Sequence, residues 1–118
     1  MSSTDRLRDA PTVKHWFASA RLDTEPVERQ QRLLSLLADF LARIDKDPDT
    51  LVEYCFLRKK ETGERFSSVK RRGEVNEWIE GWVADREWIG KDAVANGNAV
   101  RSFMIHNGAL IQGGAWRG

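Results

Sequence analysis

The chain has 118 residues, and its 19 Lys and Arg side chains against 18 Asp and Glu give a net charge of +1. This length fits one domain with a single core and excludes a typical two-domain enzyme. A nearly neutral balance is unlike that of a strongly basic nucleic-acid-binding protein, so any charge that binds DNA must be gathered locally.

The single cysteine, Cys55, excludes an internal disulfide and any metal site built from cysteines. No apolar run approaches the roughly 20 residues of a membrane-spanning helix, and the N-terminus lacks an apolar signal region. We therefore expect a cytoplasmic location and no membrane partner. The 3 prolines and the scarcity of alternating polarity favour an all-α fold.

Residues 1–10 are polar and are predicted to form a flexible N-terminus before a helical domain over residues 11–111. The glycine-rich residues 112–118 are predicted to be a flexible C-terminal tail. Pro11 suits the first turn of a helix and predicts a short leading one. The apolar edge of this short helix is formed by Val13, Trp16, Phe17 and Ala20.

A long helix is predicted from an N-cap at Thr24 to about Ile44. Its apolar stripe, the strongest periodic signal in the chain, consists of Leu33, Leu36, Leu37, Phe40, Leu41 and Ile44. Three arginines, Arg29, Arg32 and Arg43, share one flank of that stripe. Pro48 then ends any continuation and begins the next helix.

Two basic clusters follow, at residues 58–60 and 70–72, and the sequence leaves open whether a loop or a helical extension joins them. The third long helix is clearest over residues 73–85. Its buried side is predicted from Val75, Trp78, Ile79, Trp82 and Val83, which recur at helical spacing. We expect Trp88 to pack at the joint to the final helix.

The final helix is predicted over about residues 91–107 and ends at Asn107-Gly108, because glycine adopts the left-handed conformation without steric cost. Its buried stripe is Ala93, Gly97, Val100 and Met104, with Phe103 at the edge, and its free polar side carries Lys91, Asn98, Ser102 and His106. Gly97 and Gly81 are expected to let another backbone come close.

Taken in order, these segments resemble the core-binding domain of tyrosine recombinases, the phage-integrase family. The resemblance covers about residues 11–111 and is carried by Pro11-Thr12-Val13-Lys14-His15-Trp16-Phe17, Leu37 with Phe40, Asp47-Pro48-Asp49-Thr50-Leu51-Val52, Val100-Arg101-Ser102-Phe103, Asn107-Gly108 and Leu110-Ile111. It implies a SAM-like fold: a compact all-α bundle of four main helices plus a short N-terminal helix.

The function that this resemblance implies is binding of double-stranded DNA in site-specific recombination or DNA integration. Any self-association is expected only on DNA. The basic and polar side chains that suit phosphates and base edges are Arg29, Arg32, Lys70, Arg71, Arg72, Lys91, Asn98, Arg101 and Ser102.

Catalysis is not expected, because the family's nucleophilic tyrosine and its helpers belong to a separate domain, and Tyr54 falls in the DNA-binding half. No cofactor or metal is expected either. The acids at 45, 47 and 49 mimic the start of a calcium loop, but Pro48 and the lack of a glycine and a closing glutamate in register argue against that site. His15 and His106 are too isolated to be metal ligands.

Two alternatives remain open from the sequence. One is a helical protein–protein interaction module that does not bind DNA and uses tryptophans as its partner surface, namely Trp78, Trp82, Trp88 and Trp116. The other is a small helix-turn-helix regulator whose final helix reads DNA. In every case the core is predicted to bury Leu37, Phe40, Trp78, Trp82, Val100 and Phe103 together.

Overall fold

The computed structural model describes residues 3–111 and holds them in six α-helices, one 3-10 turn and one small hairpin. The helices are α1 Ser3–Arg8, α2 Pro11–Ser19, α3 Val27–Ile44, α4 Pro48–Tyr54, α5 Val69–Asp85 and α6 Gly90–His106. The strands are β1 Phe56–Arg58 and β2 Arg65–Ser67, and the 3-10 turn is Leu22–Thr24. The predicted all-α class is confirmed. The predicted tail at residues 112–118 lies outside the described residues.

The N-terminal segment differs from the prediction of a flexible end. Residues 3–8 form α1, which packs on α3 and buries the side chain of Leu7. Arg8 donates a hydrogen bond from Nη1 to Oε1 of Gln30 over 3.1 Å, and its guanidinium lies 5.3 Å from the ring centre of Phe17. One apolar anchor in a polar stretch is therefore enough to dock this helix.

Helix α3 begins later than predicted. Thr24 does not cap it: its hydroxyl closes the preceding 3-10 turn by donating to the carbonyl oxygen of Arg21 over 2.7 Å. The helix starts at Val27, after Pro26, and ends at Ile44 as predicted. Asp45 then reverses the chain in the left-handed conformation, with φ of 55°.

The acidic run at residues 45–49 starts helix α4. Asp47 is the N-cap, and its Oδ1 accepts a hydrogen bond from the backbone N–H of Thr50 over 2.7 Å. That hydrogen bond lowers the pKa of Asp47. Pro48 occupies the first turn, where its missing N–H costs nothing. Among residues 3–111 no group of three His, Cys, Asp or Glu side chains is placed to hold a metal ion.

A hairpin joins the two basic clusters. Strands β1 and β2 pair antiparallel with Arg58 opposite Arg65, and the turn is closed by the N–H of Lys59 donating to the carbonyl of Glu64 over 2.9 Å. Helix α5 then begins at Val69, four residues before the predicted start. Its N-cap is Ser68, whose hydroxyl accepts from the N–H of Arg71 over 3.2 Å. The second basic cluster therefore lies in the first turn of α5 instead of preceding it.

The core lies between α3, α5 and α6, with α2 and α4 closing two sides. Of the six residues predicted to be buried together, five are: Leu37, Phe40, Trp82, Val100 and Phe103. Edge-to-face contacts link Phe40 to Trp82, with ring centres 5.4 Å apart, and Trp16 to Phe103 at 5.5 Å. Trp78 is the exception, because it is half-buried beside Tyr54.

The final helix keeps its predicted end and most of its predicted stripe, of which Ala93 is half-buried. Gly97, Val100, Phe103 and Met104 are buried, and Gly108 follows the helix with φ of +89°. Trp88 packs edge-to-face on Trp82 at the joint, as expected. No helix within residues 3–111 combines the length and the apolar character that crossing a membrane requires.

Candidate nucleic-acid interface

Positive charge is concentrated in residues 56–72, which we call the basic segment. It comprises the hairpin and the first turn of α5. Its seven basic residues are Arg58, Lys59, Lys60, Arg65, Lys70, Arg71 and Arg72, against Glu61 and Glu64, so its net charge is +5. The rest of the chain has twelve basic and sixteen acidic residues, a net charge of −4. The near-neutral total therefore conceals a segment with a clear excess of positive charge.

Most ion pairs of the described residues lie outside the basic segment. Outside the basic segment, carboxylates neutralise arginines in the pairs Arg29 with Glu25, Arg43 with Asp85, Arg86 with Asp39 and Arg101 with Glu80. Inside it, Arg65 pairs with Glu53, at 2.9 Å between Nη2 and Oε2. No other ion pair of the described residues involves the basic segment, so Lys59, Lys60 and Lys70 keep their full charge at the surface.

Backbone carbonyls hold three of the arginines in place. Nη1 of Arg58 donates to the carbonyl oxygen of Gly63 over 2.9 Å. Nη1 of Arg71 donates to that of Tyr54 over 3.2 Å, and Nη1 of Arg72 to that of Leu110 over 2.9 Å. A carbonyl orients a guanidinium but carries no net charge, so these three side chains are fixed and still uncompensated. A fixed guanidinium loses less conformational entropy when it binds an anion.

Tyr54 borders this surface and has a partner of its own. Its hydroxyl donates to Oε1 of Glu74 over 2.5 Å, and the guanidinium of Arg71 lies 4.7 Å from the centre of its ring. The hydrogen bond to Glu74, followed by burial, raises the pKa of Tyr54 above its ordinary value. A raised pKa disfavours the phenolate, which is the form that a nucleophilic tyrosine needs.

Arg101, predicted to contact DNA, is instead buried between α5 and α6, with 6% of its surface exposed. Its Nε donates to Oδ1 of Asn76 over 2.9 Å and its Nη1 to Oδ1 of Asn98 over 3.0 Å, while Nη2 lies 3.9 Å from Oε2 of Glu80. Burial lowers the pKa of Arg101 and the Glu80 charge opposes that shift. The guanidinium of Arg101 is therefore committed within the fold, which argues against the predicted DNA contact.

The polar side of α6 is covered in part by α2. Ser102, another predicted DNA contact, is half-buried and its hydroxyl accepts from Nε1 of Trp16 over 3.1 Å. His106 lies 2.7 Å from the hydroxyl of Ser19 through Nδ1. Helix α6 packs against α2, α3 and α5, so the expectation of a free polar side holds only for Asn98 and Lys91, which are exposed.

The other predicted contacts do not form one patch. Arg29 and Arg32 are exposed on α3, where Arg32 donates to Oδ1 of Asn96 over 3.0 Å. Lys91 lies in the first turn of α6, whereas Arg72 contacts the chain just beyond its other end, at Leu110. The helix between them has 17 residues and is about 26 Å long at 1.5 Å per residue.

The structure places the predicted contacts Lys70, Arg71 and Arg72 directly after the hairpin. The hairpin carries four basic residues that the sequence interpretation did not assign to the site. Those four are Arg58, Lys59, Lys60 and Arg65. The first three were recognisable as a basic cluster. Only the strand pairing shows that these three residues share a hairpin with Arg65, next to α5.

The protein–protein interaction alternative predicted a partner surface of tryptophans, and one of them, Trp82, is not exposed. Trp82 is buried, with 1% of its surface exposed, and its indole N–H donates to Oδ2 of Asp39 over 2.8 Å. Trp78 and Trp88 are half-buried, and Trp116 lies outside the described residues. Among the described tryptophans of that predicted surface, the two that are not fully buried are partly covered.

Comparison of the chain with protein-family models, with curated proteins and with solved structures finds no match. The functional argument therefore rests on the charge distribution and contacts described above and on the order of the sequence motifs.

Proposed function

We propose that this chain is a DNA-binding domain of a tyrosine recombinase or integrase and contributes to site-specific recombination or DNA integration. The observation that carries the proposal is the net positive charge of the basic segment, in which one of seven basic residues, Arg65, has an ion pair among the described residues. The order of the motifs from residue 11 to residue 111 supplies the family to which the binding is attributed.

Duplex DNA is the partner that such a surface fits best, because its phosphates are a dense array of single negative charges. Each Lys or Arg that neutralises a phosphate releases condensed counterions, which makes the affinity fall as salt rises. We expect non-specific affinity, roughly micromolar or weaker at physiological salt. Arg71 and Arg72 provide oriented contacts, and Lys70 provides an exposed mobile charge beside them.

The test is a salt titration of fluorescence anisotropy with a labelled random-sequence duplex. Arg71→Ala/Arg72→Ala should reduce the slope of log affinity against log salt by about two units. Lys70→Ala, at an exposed side chain, should reduce it by about one without affecting folding. The matched control is Arg6→Ala/Lys14→Ala, which removes two exposed charges outside the basic segment and should leave the slope unchanged.

Wild-type protein that fails to bind the duplex at low salt would contradict the proposal. Binding that is indifferent to salt and to all of these substitutions would do the same. Circular dichroism of each variant establishes that it is folded before its affinity is compared. Either negative result would favour the alternative of a helical protein–protein interaction module.

We also propose that this chain performs no strand cleavage of its own. The phenol of Tyr54 is hydrogen-bonded to Glu74 and its raised pKa opposes nucleophilic attack. Incubation with a labelled duplex should give no covalent protein–DNA adduct on a denaturing gel. An adduct that forms with wild-type protein and disappears in Tyr54→Phe would show that this tyrosine is catalytic.

A further inference from the structure

The hairpin is the most exposed part of the described chain. All nine residues from 58 to 66 are exposed, including the turn that joins the two strands. The base of the hairpin is anchored, because the N–H of Ser68 donates to the carbonyl of Cys55 over 2.7 Å. The ring of Phe56 also packs near Gly108, where a Cβ would lie 3.5 Å from its Cζ. The hairpin therefore has an anchored base and an exposed end, and we call it the arm.

Two like charges of the hairpin face each other across the strands and do not stabilise it. Arg58 and Arg65 are direct cross-strand partners, and like charges in that position repel each other. Each is nonetheless held in place: Arg58 by the carbonyl of Gly63, and Arg65 by Glu53 and by the ring of Phe56, 3.7 Å from its guanidinium carbon. The guanidinium of Arg58 is thereby directed towards the turn, whereas that of Arg65 is directed towards the base of the hairpin.

Lys59 and Lys60 add two further positive charges where the turn begins. Neither takes part in an ion pair among residues 3–111. The positive φ of Gly63, 73°, lets its backbone bend back so that its N–H donates to the carbonyl of Lys59 over 2.8 Å. The tight turn thus presents both lysines beyond the pair of arginines. Within the arm, Glu61 and Glu64 offset only part of this charge.

We infer that the hairpin is a phosphate-binding arm whose Lys59 and Lys60 contact the backbone of duplex DNA in addition to the first turn of α5. The inference rests on the proposed function and assigns part of that contact to the exposed end of the hairpin. A polyanion supplies negative charge to Arg58, Lys59 and Lys60, none of which has an ion pair among residues 3–111. A two-stranded ribbon is also narrow enough to follow one strand of the duplex or to enter its major groove.

The experiment is the same salt titration with Lys59→Ala/Lys60→Ala, compared with Arg6→Ala/Lys14→Ala as the variant of equal charge change. The two lysines are exposed and unpaired, so their loss should leave the fold intact. We expect the slope of log affinity against log salt to fall by about two units for the hairpin variant alone. The weakening should be the same for duplexes of different sequence, since phosphate contacts carry no sequence information.

A slope that stays at the wild-type value in Lys59→Ala/Lys60→Ala, while wild-type protein binds DNA, would overturn the arm and leave the proposed function standing. An equal fall in both variants would also overturn it, because net charge alone would then explain the effect. Wild-type protein that binds no duplex would overturn the proposed function and the arm together.

Discussion

The guanidinium of Arg101 fills the space that a side chain at Gly97 would need. A Cβ built on Gly97 would lie 2.9 Å from Nη1 of Arg101, and the two residues are one helical turn apart on α6. The missing side chain therefore admits a buried cation. The sequence predicted a glycine that lets another backbone approach, and that reason is wrong. Gly81 is similar, since its nearest neighbour is Nη2 of Arg43 at 3.2 Å.

Gly97→Ala should destabilise the protein even though alanine is the better helix former. The gain in helix propensity is about 1 kcal/mol, but the new methyl group must displace a guanidinium that Asn76 and Asn98 hold in place. We expect a net loss of about 1–2 kcal/mol in the free energy of unfolding, measured with urea. Gly73→Ala is the control: no atom lies within 4 Å of its Cβ position, so it should stabilise α5 by about 0.5–1 kcal/mol. Stabilisation by both substitutions would contradict this account.

Arg101→Met should affect stability and leave DNA binding alone. Methionine keeps most of the packing but removes the donors to Asn76 and Asn98, at a cost of about 1–3 kcal/mol. Because the guanidinium is buried, the folded variant should retain the wild-type dependence of DNA affinity on salt. A slope reduced by about one unit, with unchanged stability, would show that Arg101 reaches a phosphate.

Asn98 remains the α6 residue with a predicted role in sequence preference. It is exposed, and its Oδ1 is oriented by Arg101, so its amide is presented at the surface. Asn98→Ala should change the relative affinities of different duplexes more than the salt slope. The measurement is anisotropy competition among duplexes of several sequences, with Lys91→Ala as the control that should weaken all of them alike. Equal weakening by Asn98→Ala would argue against a base contact.

Phe40→Ala and Phe103→Ala should each lower the free energy of unfolding by about 3–5 kcal/mol. Both rings are fully buried, and each makes an edge-to-face contact with a tryptophan, Trp82 or Trp16. A loss of that size is a large part of the stability of a small domain. Phe66→Ala, at an exposed ring of the hairpin, should cost less than about 1 kcal/mol. Similar losses at all three positions, measured with urea, would contradict the described core.

Asp39→Ala should destabilise the protein at neutral pH, and the effect should shrink in acid. Burial alone would raise the pKa of Asp39, but hydrogen bonds from Arg86 and Trp82 lower it below its ordinary value. A lowered pKa means that the ionised carboxylate stabilises the fold above about pH 3.9, and that this stabilisation is lost as pH falls through the folded-state value.

At neutral pH we expect Asp39→Ala to cost about 2 kcal/mol, mainly because the buried indole N–H of Trp82 loses its acceptor. The check is urea unfolding followed by tryptophan fluorescence at neutral pH and below pH 4. Glu77→Ala, at an exposed carboxylate of α5 without an ion pair among the described residues, should change stability by less than about 0.5 kcal/mol. A cost in Asp39→Ala that is independent of pH would show that its charge does not contribute.

The end of α3 at Ile44, the start of α4 at Pro48 and the end of α6 before Gly108 were all predictable from the sequence. Each depends on local chemistry: Pro48 prevents a continuation of α3 and suits the first turn of α4, and Gly108 follows α6 with a positive φ. The buried stripes of α3 and α6 were predictable for a similar reason, because apolar spacing at the helical period fixes which side faces the core. Residues that are close together in the sequence determine these helix ends and buried sides.

Tertiary structure decided which polar groups are free. Arg101 is bound by Asn76, 25 residues away, and Ser102 by Trp16, 86 residues away. Neither partner can be inferred from the spacing of polar residues on one helix. The hairpin also required strand pairing across its turn, which places Arg58 opposite Arg65. The sequence by itself determined the main helices and most of their buried sides, but not α1 or the starts of α3 and α5. Only the fold determined which charges remain available for a partner, because burial and ion pairing depend on residues that are distant along the chain.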